Sequence, residues 1–132
     1  MERQGATYNK QERLKSKKRI EELFRKGKVI HAGPLSARFL WKNDVSESNL
    51  QAAFSVPKRN IKLAVNRNLL KRRLREAYRL NNQALKLRVS ESKGLDLIVV
   101  YNTKQILSYK EIEDKIKVIL TRLTESGEVV GQ

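Results

Sequence analysis

The chain has 132 residues and a formal charge of +15, with 29 Lys and Arg against 14 Asp and Glu, one His and no Cys. This length fits one domain, and the missing cysteines exclude disulfide frameworks and thiolate metal sites. Because no apolar run approaches the roughly 20 residues of a membrane span and no apolar secretory segment follows Met1, we expect a cytoplasmic protein that does not bind a membrane.

The positive charge is concentrated in two segments. Residues 10–28 hold nine basic and three acidic side chains, and residues 58–79 hold nine basic and one acidic side chain. Between residues 104 and 128, five basic and five acidic side chains cancel. A chain made basic only for solubility would spread its charge, so this placement indicates a surface that binds a polyanion, most often a nucleic acid.

The first half of the chain predicts a helix followed by three strands. Residues 1–12 are polar and mixed, which is typical of a flexible tail. Ser16 can cap a helix that ends near Lys26, with Gly27 in the left-handed conformation as its stop. A polar stretch at 43–49 predicts a hairpin loop between the second and third strands. The three strands are predicted at Lys28–Ala32, Leu35–Trp41 and Gln51–Pro57.

The second half predicts two amphipathic helices around one strand. Asn66 can cap a helix from Arg67 to about Leu87, and a charged loop at 88–94 follows it. The segment Leu95–Tyr101 is almost wholly apolar and rich in β-formers, which predicts a central strand buried on both faces. Residues 108–111, SYKE, form a capping box that opens the last helix.

This order of elements, αβββαβα, predicts an α+β sandwich in which helices cover a four-stranded sheet mainly on one face. The domain spans residues 13–124, between flexible tails at 1–12 and 125–132. Two amphipathic helices and four strands can bury an adequate core at this size, so the fold needs no metal or disulfide.

The helix at 67–87 presents a basic ridge opposite its apolar stripe. Arg67, Lys71 and Arg75 are spaced four residues apart. A neighbouring row on the same face holds Asn68, Arg72 and Arg79. Like charges at this spacing destabilise a helix, so the ridge calls for a compensating anion. Arginine suits phosphate because its planar fork binds two oxygens. The alternative is an ordinary solvated face, but the scarcity of acidic residues favours nucleic acid.

The sequence predicts no catalytic residue, no metal ligand and no cofactor for the protein alone. His31 has no His or Cys partner, and Asp96 is the only acid on its strand. Glu111, Glu113 and Asp114 lie on a helix whose charges balance, so the convergent acids of a two-metal nuclease are missing.

Residues 64–75, AVNRNLLKRRLR, resemble the signature helix of the bacterial ribonuclease P protein subunits, the small basic partners of a catalytic RNA. That family carries the pattern Ala-Val-x-Arg-Asn-x-x-Lys-Arg-x-x-Arg. Residues 13–15, RLK, and 24–27, FRKG, are similar to the family's first helix, and residues 54–59, FSVPKR, are similar to its third strand and basic exit. The resemblance covers about residues 13–123.

The resemblance implies a protein subunit of ribonuclease P whose partners are the catalytic RNA and precursor tRNA, and which assists removal of the 5′ leader. RNA and Mg²⁺ would carry the endonucleolytic chemistry. The fold would resemble the fourth domain of elongation factor G, with a left-handed βαβ crossover. The implied RNA-docking residues are Arg67, Asn68, Lys71, Arg72 and Arg75, with Lys58 and Arg59. The implied cleft for the leader is lined by Ile20, Phe24, Arg38, Phe54 and Ser55.

Single-stranded RNA binds to basic grooves with aromatic platforms. Phe24, beside Arg25 and Lys26, is the best platform candidate, while the residues alone favour a core position for Phe39, Trp41 and Phe54. Two other functions stay open at this point. One is a ribosomal or ribosome-assembly protein that binds structured RNA without enzymatic activity, and the other is a free-standing metal-dependent nuclease.

Overall fold

The computed structural model describes residues 8–42, 50–90 and 94–130. These residues form a four-stranded sheet with helices on both faces, which confirms the predicted α+β class. A short 3₁₀ helix at Lys10–Glu12 precedes the first α-helix. The remaining elements are α1 (Lys17–Lys26), β1 (Lys28–Ala32), β2 (Leu35–Lys42), β3 (Leu50–Ser55), α2 (Ala64–Asn81), α3 (Gln83–Ser90), β4 (Gly94–Tyr101) and α4 (Tyr109–Val130).

The strands are ordered β1-β2-β4-β3, with β4 antiparallel to β2 and parallel to β3. β4 is central and largely buried, as its apolar sequence predicts. The predicted hairpin pairing of β2 with β3 is wrong, because β4 lies between them; the loop at 43–49 itself lies outside the described residues. The chain crosses from β3 to its parallel neighbour β4 through α2 and α3. The left hand of this crossover and the likeness to the elongation factor domain stay predictions.

The main core lies between one sheet face and the helices α2, α3 and α4. Side chains alternate along a strand, so the odd-numbered residues of β2 and β4 point into this core. Phe39 is buried there, and Trp41 packs against it while its indole N–H donates to Ser126 Oγ at 3.2 Å. The largest fully buried side chains of this core are Leu35, Leu70, Leu74, Tyr78, Leu85, Leu95, Leu97, Tyr101, Ile112, Ile116 and Ile119.

Helix α1 covers part of the opposite sheet face. Its predicted cap is confirmed, since Ser16 Oγ accepts the Arg19 N–H at 3.3 Å. Leu23 is buried in a small apolar cluster on this face. Gly27 does not adopt the predicted left-handed conformation, because its φ is −73° and its ψ is 159°. Glycine suits this position for another reason: a Cβ atom would lie 2.4 Å from the Leu23 carbonyl oxygen.

The single helix predicted over residues 67–87 is in fact two helices. α2 starts earlier than predicted and lacks a side-chain cap, so the assignment of Asn66 as the cap is wrong. The helix is interrupted at Asn82, which is buried. α3 then extends into the stretch predicted as a charged loop, because Leu85 and Val89 bury their side chains in the main core. Tertiary burial outweighs the local composition there.

Residues 8–12, which the sequence assigns to a flexible tail, pack along the edge of β3. A capping box joins Asn9 and Glu12, with the Asn9 N–H donating to Glu12 Oε1 at 2.8 Å. The Tyr8 hydroxyl donates to the Ala52 carbonyl oxygen at 2.7 Å. The N-terminal segment therefore covers part of the otherwise open edge of the sheet.

Helix α4 opens with the predicted capping box. The Glu111 N–H donates to Ser108 Oγ at 3.2 Å, and the Ser108 N–H donates to Glu111 Oε1 at 2.9 Å. The helix continues to Val130, through most of the segment 125–132 that the sequence assigns to a second flexible tail. In the described part of the chain, no helix is both long and apolar enough to cross a membrane.

Candidate nucleic-acid interface

The outward face of α2 carries the predicted basic ridge. Asn68, Arg72 and Arg75 are exposed and Lys71 is half-buried. The amphipathic pattern sets this orientation, because the opposite face packs into the main core through Leu70, Leu74, Ala77 and Tyr78. Within residues 8–42, 50–90 and 94–130, no carboxylate forms an ion pair with Lys71, Arg72 or Arg75. The ridge thus keeps its positive charge available for an external anion.

Arg67 differs from the rest of the ridge because its guanidinium is bound within the protein. Its Nη1 donates to the carbonyl oxygens of Ile61 at 3.0 Å and Lys62 at 2.7 Å. These bonds hold the loop that leaves β3 against the first turns of α2. Lys58 and Arg59 are exposed on that loop. Arg67 therefore connects two groups of predicted docking residues.

Two further arginines of α2 are engaged inside the protein. Arg79 binds both carboxylate oxygens of Glu76, with Nε–Oε1 and Nη2–Oε2 distances of 3.1 and 2.7 Å. This hydrogen bonding raises the pKa of Arg79 above its usual value. Arg73 Nη1 donates to the Leu107 carbonyl oxygen at 2.5 Å, which joins α2 to the loop before α4. The basic residues of α2 thus fall into two groups: some bind other parts of the protein, and others face outward.

A second candidate surface lies on the sheet face that α1 only partly covers. Ser36, Val100 and Ser55 form one row across β2, β4 and β3, because Val100 is the register partner of both serines. All three are half-exposed, and we call this row the open band. Arg38 belongs to the next row, where its partner Ile98 is buried by α1. A ligand can therefore reach the open band, although Val100 also packs against the apolar cluster beneath α1.

The C-terminal turns of α1 border this surface. Phe24 is 46% exposed, and the Arg38 guanidinium lies 5.1 Å from the centroid of its ring. Ile20 is half-buried and packs on the apolar cluster beneath α1. An exposed aromatic ring next to a cation suits a stacked base near the RNA backbone. The structure therefore brings together Ile20, Phe24, Arg38 and Ser55 on one face of the sheet.

Phe54 is separated from those four residues. It points to the opposite sheet face because side chains alternate along β3. Its ring meets Tyr8 and Tyr78 edge-on, at centroid distances of 5.5 and 5.3 Å. Phe54 is partly buried against the main core, as the residues alone suggest, and it does not line the cleft that the resemblance implies.

The N-terminal segment and α2 form the two walls of an open groove of about 370 Å³, which we call the arginine groove. It is lined by Tyr8, Arg13, Arg72, Arg75, Glu76 and Arg79. The Arg13 guanidinium lies 5.6 Å from the centroid of the Tyr8 ring. Burial raises the pKa of Tyr8 to about 12, although Arg13 and Arg75 act to lower it. Neither Tyr8 nor Arg13 is among the predicted site residues, although Arg13 lies in the first basic segment.

Asp96 is also not predicted as a site residue, yet it organises α1. Its carboxylate is fully buried and accepts bonds from Arg19, with an Nε–Oδ2 distance of 3.1 Å, while Lys42 Nζ lies 3.5 Å from Oδ2. Lys42 Nζ also lies 2.5 Å from Glu22 Oε1, and this bond lowers the pKa of Glu22. These ion pairs fix α1 on the sheet and so position Phe24. The feature of the sequence that indicates this role is a single charged residue within an otherwise apolar strand.

The described residues do not fit a metal site. None of their side chains form a group of three or more His, Cys, Asp or Glu that could hold an ion. The most buried carboxylate, Asp96, is already bound by two cationic side chains. His31 is exposed on β1 and is distant from Asp96 in the sequence.

Comparison with known proteins agrees with this geometry. The sequence profile of the Ribonuclease P family matches residues 8–124. The ribonuclease P protein component of Borreliella burgdorferi (strain ZS7) is 32% identical over 111 residues, which cover 83% of this chain and 87% of the relative. The corresponding protein of Clostridium acetobutylicum is 31% identical over 109 residues, covering 82% of this chain and 85% of the relative.

Solved structures agree as well. The ribonuclease P protein of Thermotoga maritima has a TM-score of 0.65 and 25% identity, covering 84% of this chain and 96% of the other. The protein of Staphylococcus aureus has a TM-score of 0.63 at 20% identity, covering 84% and 94%, a likeness that shows the fold alone. The resemblance carried by residues 64–75 is thereby confirmed. The chain belongs to the family of ribonuclease P protein components, which act within an endoribonuclease ribonucleoprotein.

Proposed function

We propose that this protein binds the catalytic RNA of ribonuclease P and the 5′ leader of precursor tRNA, and that it assists RNA-catalysed removal of the leader to give the mature 5′ end. The observation that carries the proposal is the outward ridge of α2, where Lys71, Arg72 and Arg75 have no carboxylate partner among the described residues. RNA phosphates supply the anions that this arrangement calls for.

Two surfaces divide the work. The ridge of α2, with Lys58 and Arg59, docks on the catalytic RNA, while the open band and Phe24 take the single-stranded leader. β3 ends at Ser55, and the chain then passes through the basic loop into α2, so the two surfaces are adjacent along the chain. A cationic protein between two RNA molecules reduces their mutual repulsion. The protein thereby favours the complex of catalytic RNA and substrate.

Catalysis belongs to the RNA and to Mg²⁺ bound by its phosphates. In this proposal the protein's residues bind and position the two RNAs, and its described part offers no cluster of metal ligands. The protein should therefore raise the cleavage rate most at low Mg²⁺ concentration. Under that condition its Lys and Arg side chains take over part of the screening of the RNA phosphates.

A cleavage assay with the cognate ribonuclease P RNA tests this function. The protein alone should leave precursor tRNA intact, and its addition should restore cleavage at a Mg²⁺ concentration where the RNA alone is slow. Cleavage by the protein alone would indicate a free-standing nuclease. A protein that binds RNA but leaves the low-magnesium rate unchanged would fit the ribosomal alternative and contradict the proposal.

The docking face is tested by Lys71→Gln, with Lys117→Gln on α4 as the matched control. Lys117 is also a helical lysine, but it is exposed on the helix whose charges balance. Lys71→Gln should weaken binding of the catalytic RNA and reduce the salt dependence of log K by about one. Lys117→Gln should behave as the wild-type protein. Equal effects of the two substitutions would show that binding reflects total charge rather than this face.

A further inference from the structure

We propose that the arginine groove is a binding site for one internal phosphodiester of RNA, held by Arg13 together with Arg72 and Arg75. This inference rests on the proposed function, because its ligand is RNA. It goes further by assigning a contact to the N-terminal segment, which lies outside the signature helix. Arg13 becomes a binding residue on the same footing as the ridge of α2.

The N-terminal wall of the groove is fixed by backbone bonds. Arg13 pairs with Ala52 as an isolated parallel bridge, and the Leu14 N–H donates to the Ala52 carbonyl oxygen at 2.8 Å. The Tyr8 hydroxyl donates to the same carbonyl oxygen at 2.7 Å. The opposite wall is α2, which is anchored in the main core. Both walls are therefore in place before a ligand arrives, which lowers the entropic cost of binding.

The charge in the groove favours an anion. Arg13, Arg72 and Arg75 have no carboxylate partner within the part of the chain that the structure describes. The one acid in the lining, Glu76, has both oxygens bound by Arg79. The Tyr8 phenol is protonated at neutral pH, and burial raises its pKa further, to about 12, so it adds no negative charge. Guanidinium groups from two separate elements thus face one space.

The size and shape of the groove fit part of a nucleic-acid chain. Its volume of about 370 Å³ is at the lower end of the range for small-molecule sites. The groove is open to solvent, so a chain can enter and leave it while one phosphate contacts the arginines. The planar fork of arginine binds two phosphate oxygens at once. An internal phosphodiester therefore suits the groove better than an enclosed small ligand.

The test uses the full chain and a fluorescent single-stranded RNA oligonucleotide with a 5′ hydroxyl, and it measures affinity by anisotropy at several salt concentrations. Arg13→Gln should weaken binding about three- to tenfold and reduce the salt slope by about one. Arg13→Lys keeps the charge and should keep the salt slope. Arg122→Gln, an exposed arginine on α4, is the control and should bind as the wild-type protein does.

The outcomes separate this inference from the proposed function. If Arg13→Gln binds like Arg122→Gln while Lys71→Gln is weakened, the groove assignment is wrong and the docking face stands. If the wild-type protein binds neither the oligonucleotide nor the catalytic RNA, both the groove assignment and the proposed function are wrong. If the loss in Arg13→Gln appears only with a 5′-phosphorylated oligonucleotide, the ligand is a terminal phosphate and the internal assignment is wrong. A thermal melt followed by circular dichroism should show that Arg13→Gln is folded like Arg13→Lys.

Discussion

The two faces of the sheet are closed in different ways. One face packs against α2, α3 and α4 in a continuous apolar core. The other is covered in part by α1, over a small cluster of Leu14, Leu23 and Ile98. Beneath α1 the buried Asp96 carboxylate adds an ionic attachment. The comparison indicates that the first face supplies most of the stability of the fold. The second face buries less apolar surface and leaves part of the sheet accessible, and ion pairs hold its helix in place.

The largest expected effect is on the stability of the first face. Leu97 on β4 is fully buried in the main core, so Leu97→Ala should lower the free energy of unfolding by about 2–5 kcal/mol. Leu87→Ala is the control, because this leucine is 62% exposed, and it should change stability by less than about 0.5 kcal/mol. Urea denaturation measures both. A loss below about 1 kcal/mol for Leu97→Ala would contradict the dominance of this face.

A smaller loss of stability is expected from breaking the ionic attachment on the second face. Asp96→Asn keeps the shape of the side chain but removes its charge, and it should cost about 1–3 kcal/mol. The loss is smaller than for a core leucine because Arg19 and Lys42, 35% and 22% exposed, regain contact with water. Hydrogen exchange should show faster opening of α1 than of α4.

Asp114→Asn is the matched control for this substitution. Asp114 is 55% exposed and pairs with Lys110 on α4, so its charge is screened by solvent. Its loss should change stability by less than about 0.5 kcal/mol. Similar losses for the two substitutions would show that Asp96 does not act as an attachment for α1.

Phe24→Ala tests the proposed binding of the RNA leader by the second face. A stacked base is worth about 1–3 kcal/mol, and the ring is only half available, so we expect a loss of about three- to tenfold in affinity for precursor tRNA. Mature tRNA lacks the leader and should bind the holoenzyme unchanged. Val118→Ala removes a comparably exposed apolar side chain from α4 and serves as control. Equal losses for precursor and mature tRNA would remove the platform role.

The features that the sequence predicts well are local ones. The capping box of α4 depends on residues three apart, and the ridge of α2 depends on positions four apart in one helix. The apolar run of β4 by itself indicates a strand buried on both faces. Each of these patterns is complete within a few turns or one strand, so no knowledge of distant contacts is needed.

The features that the sequence does not predict depend on distant contacts. The insertion of β4 between β2 and β3 joins strands far apart in the chain, and the meeting of Phe54 with Tyr8 and Tyr78 depends on contacts that are just as distant. Asp96 is recognisable as an attachment only once Arg19, 77 residues away, is placed above it. The arginine groove likewise needs Arg13 beside α2. The periodicity of residues within one helix or strand does not predict contacts between residues that are far apart in the chain.

The smallest expected effect concerns acid. Glu22 accepts a hydrogen bond from Lys42, and this bond together with the charge of Lys42 lowers the pKa of Glu22 from its ordinary value of 4.5. A carboxylate with a lowered pKa stabilises the fold above its ordinary pKa and loses that contribution as the pH falls through the lowered value. The wild-type protein should therefore lose more unfolding free energy than Glu22→Gln on going from about pH 6 to about pH 3.5.

The difference should stay below about 1 kcal/mol, because the Glu22 side chain is 31% exposed and water screens the pair. Urea denaturation at the two pH values measures it, and Glu21→Gln, an exposed neighbour on α1, should keep the wild-type pH dependence. If the wild-type protein and Glu22→Gln lose equal stability in acid, then Lys42 is held by Asp96 alone. The ionic attachment of the second face would then consist of one carboxylate with two cations.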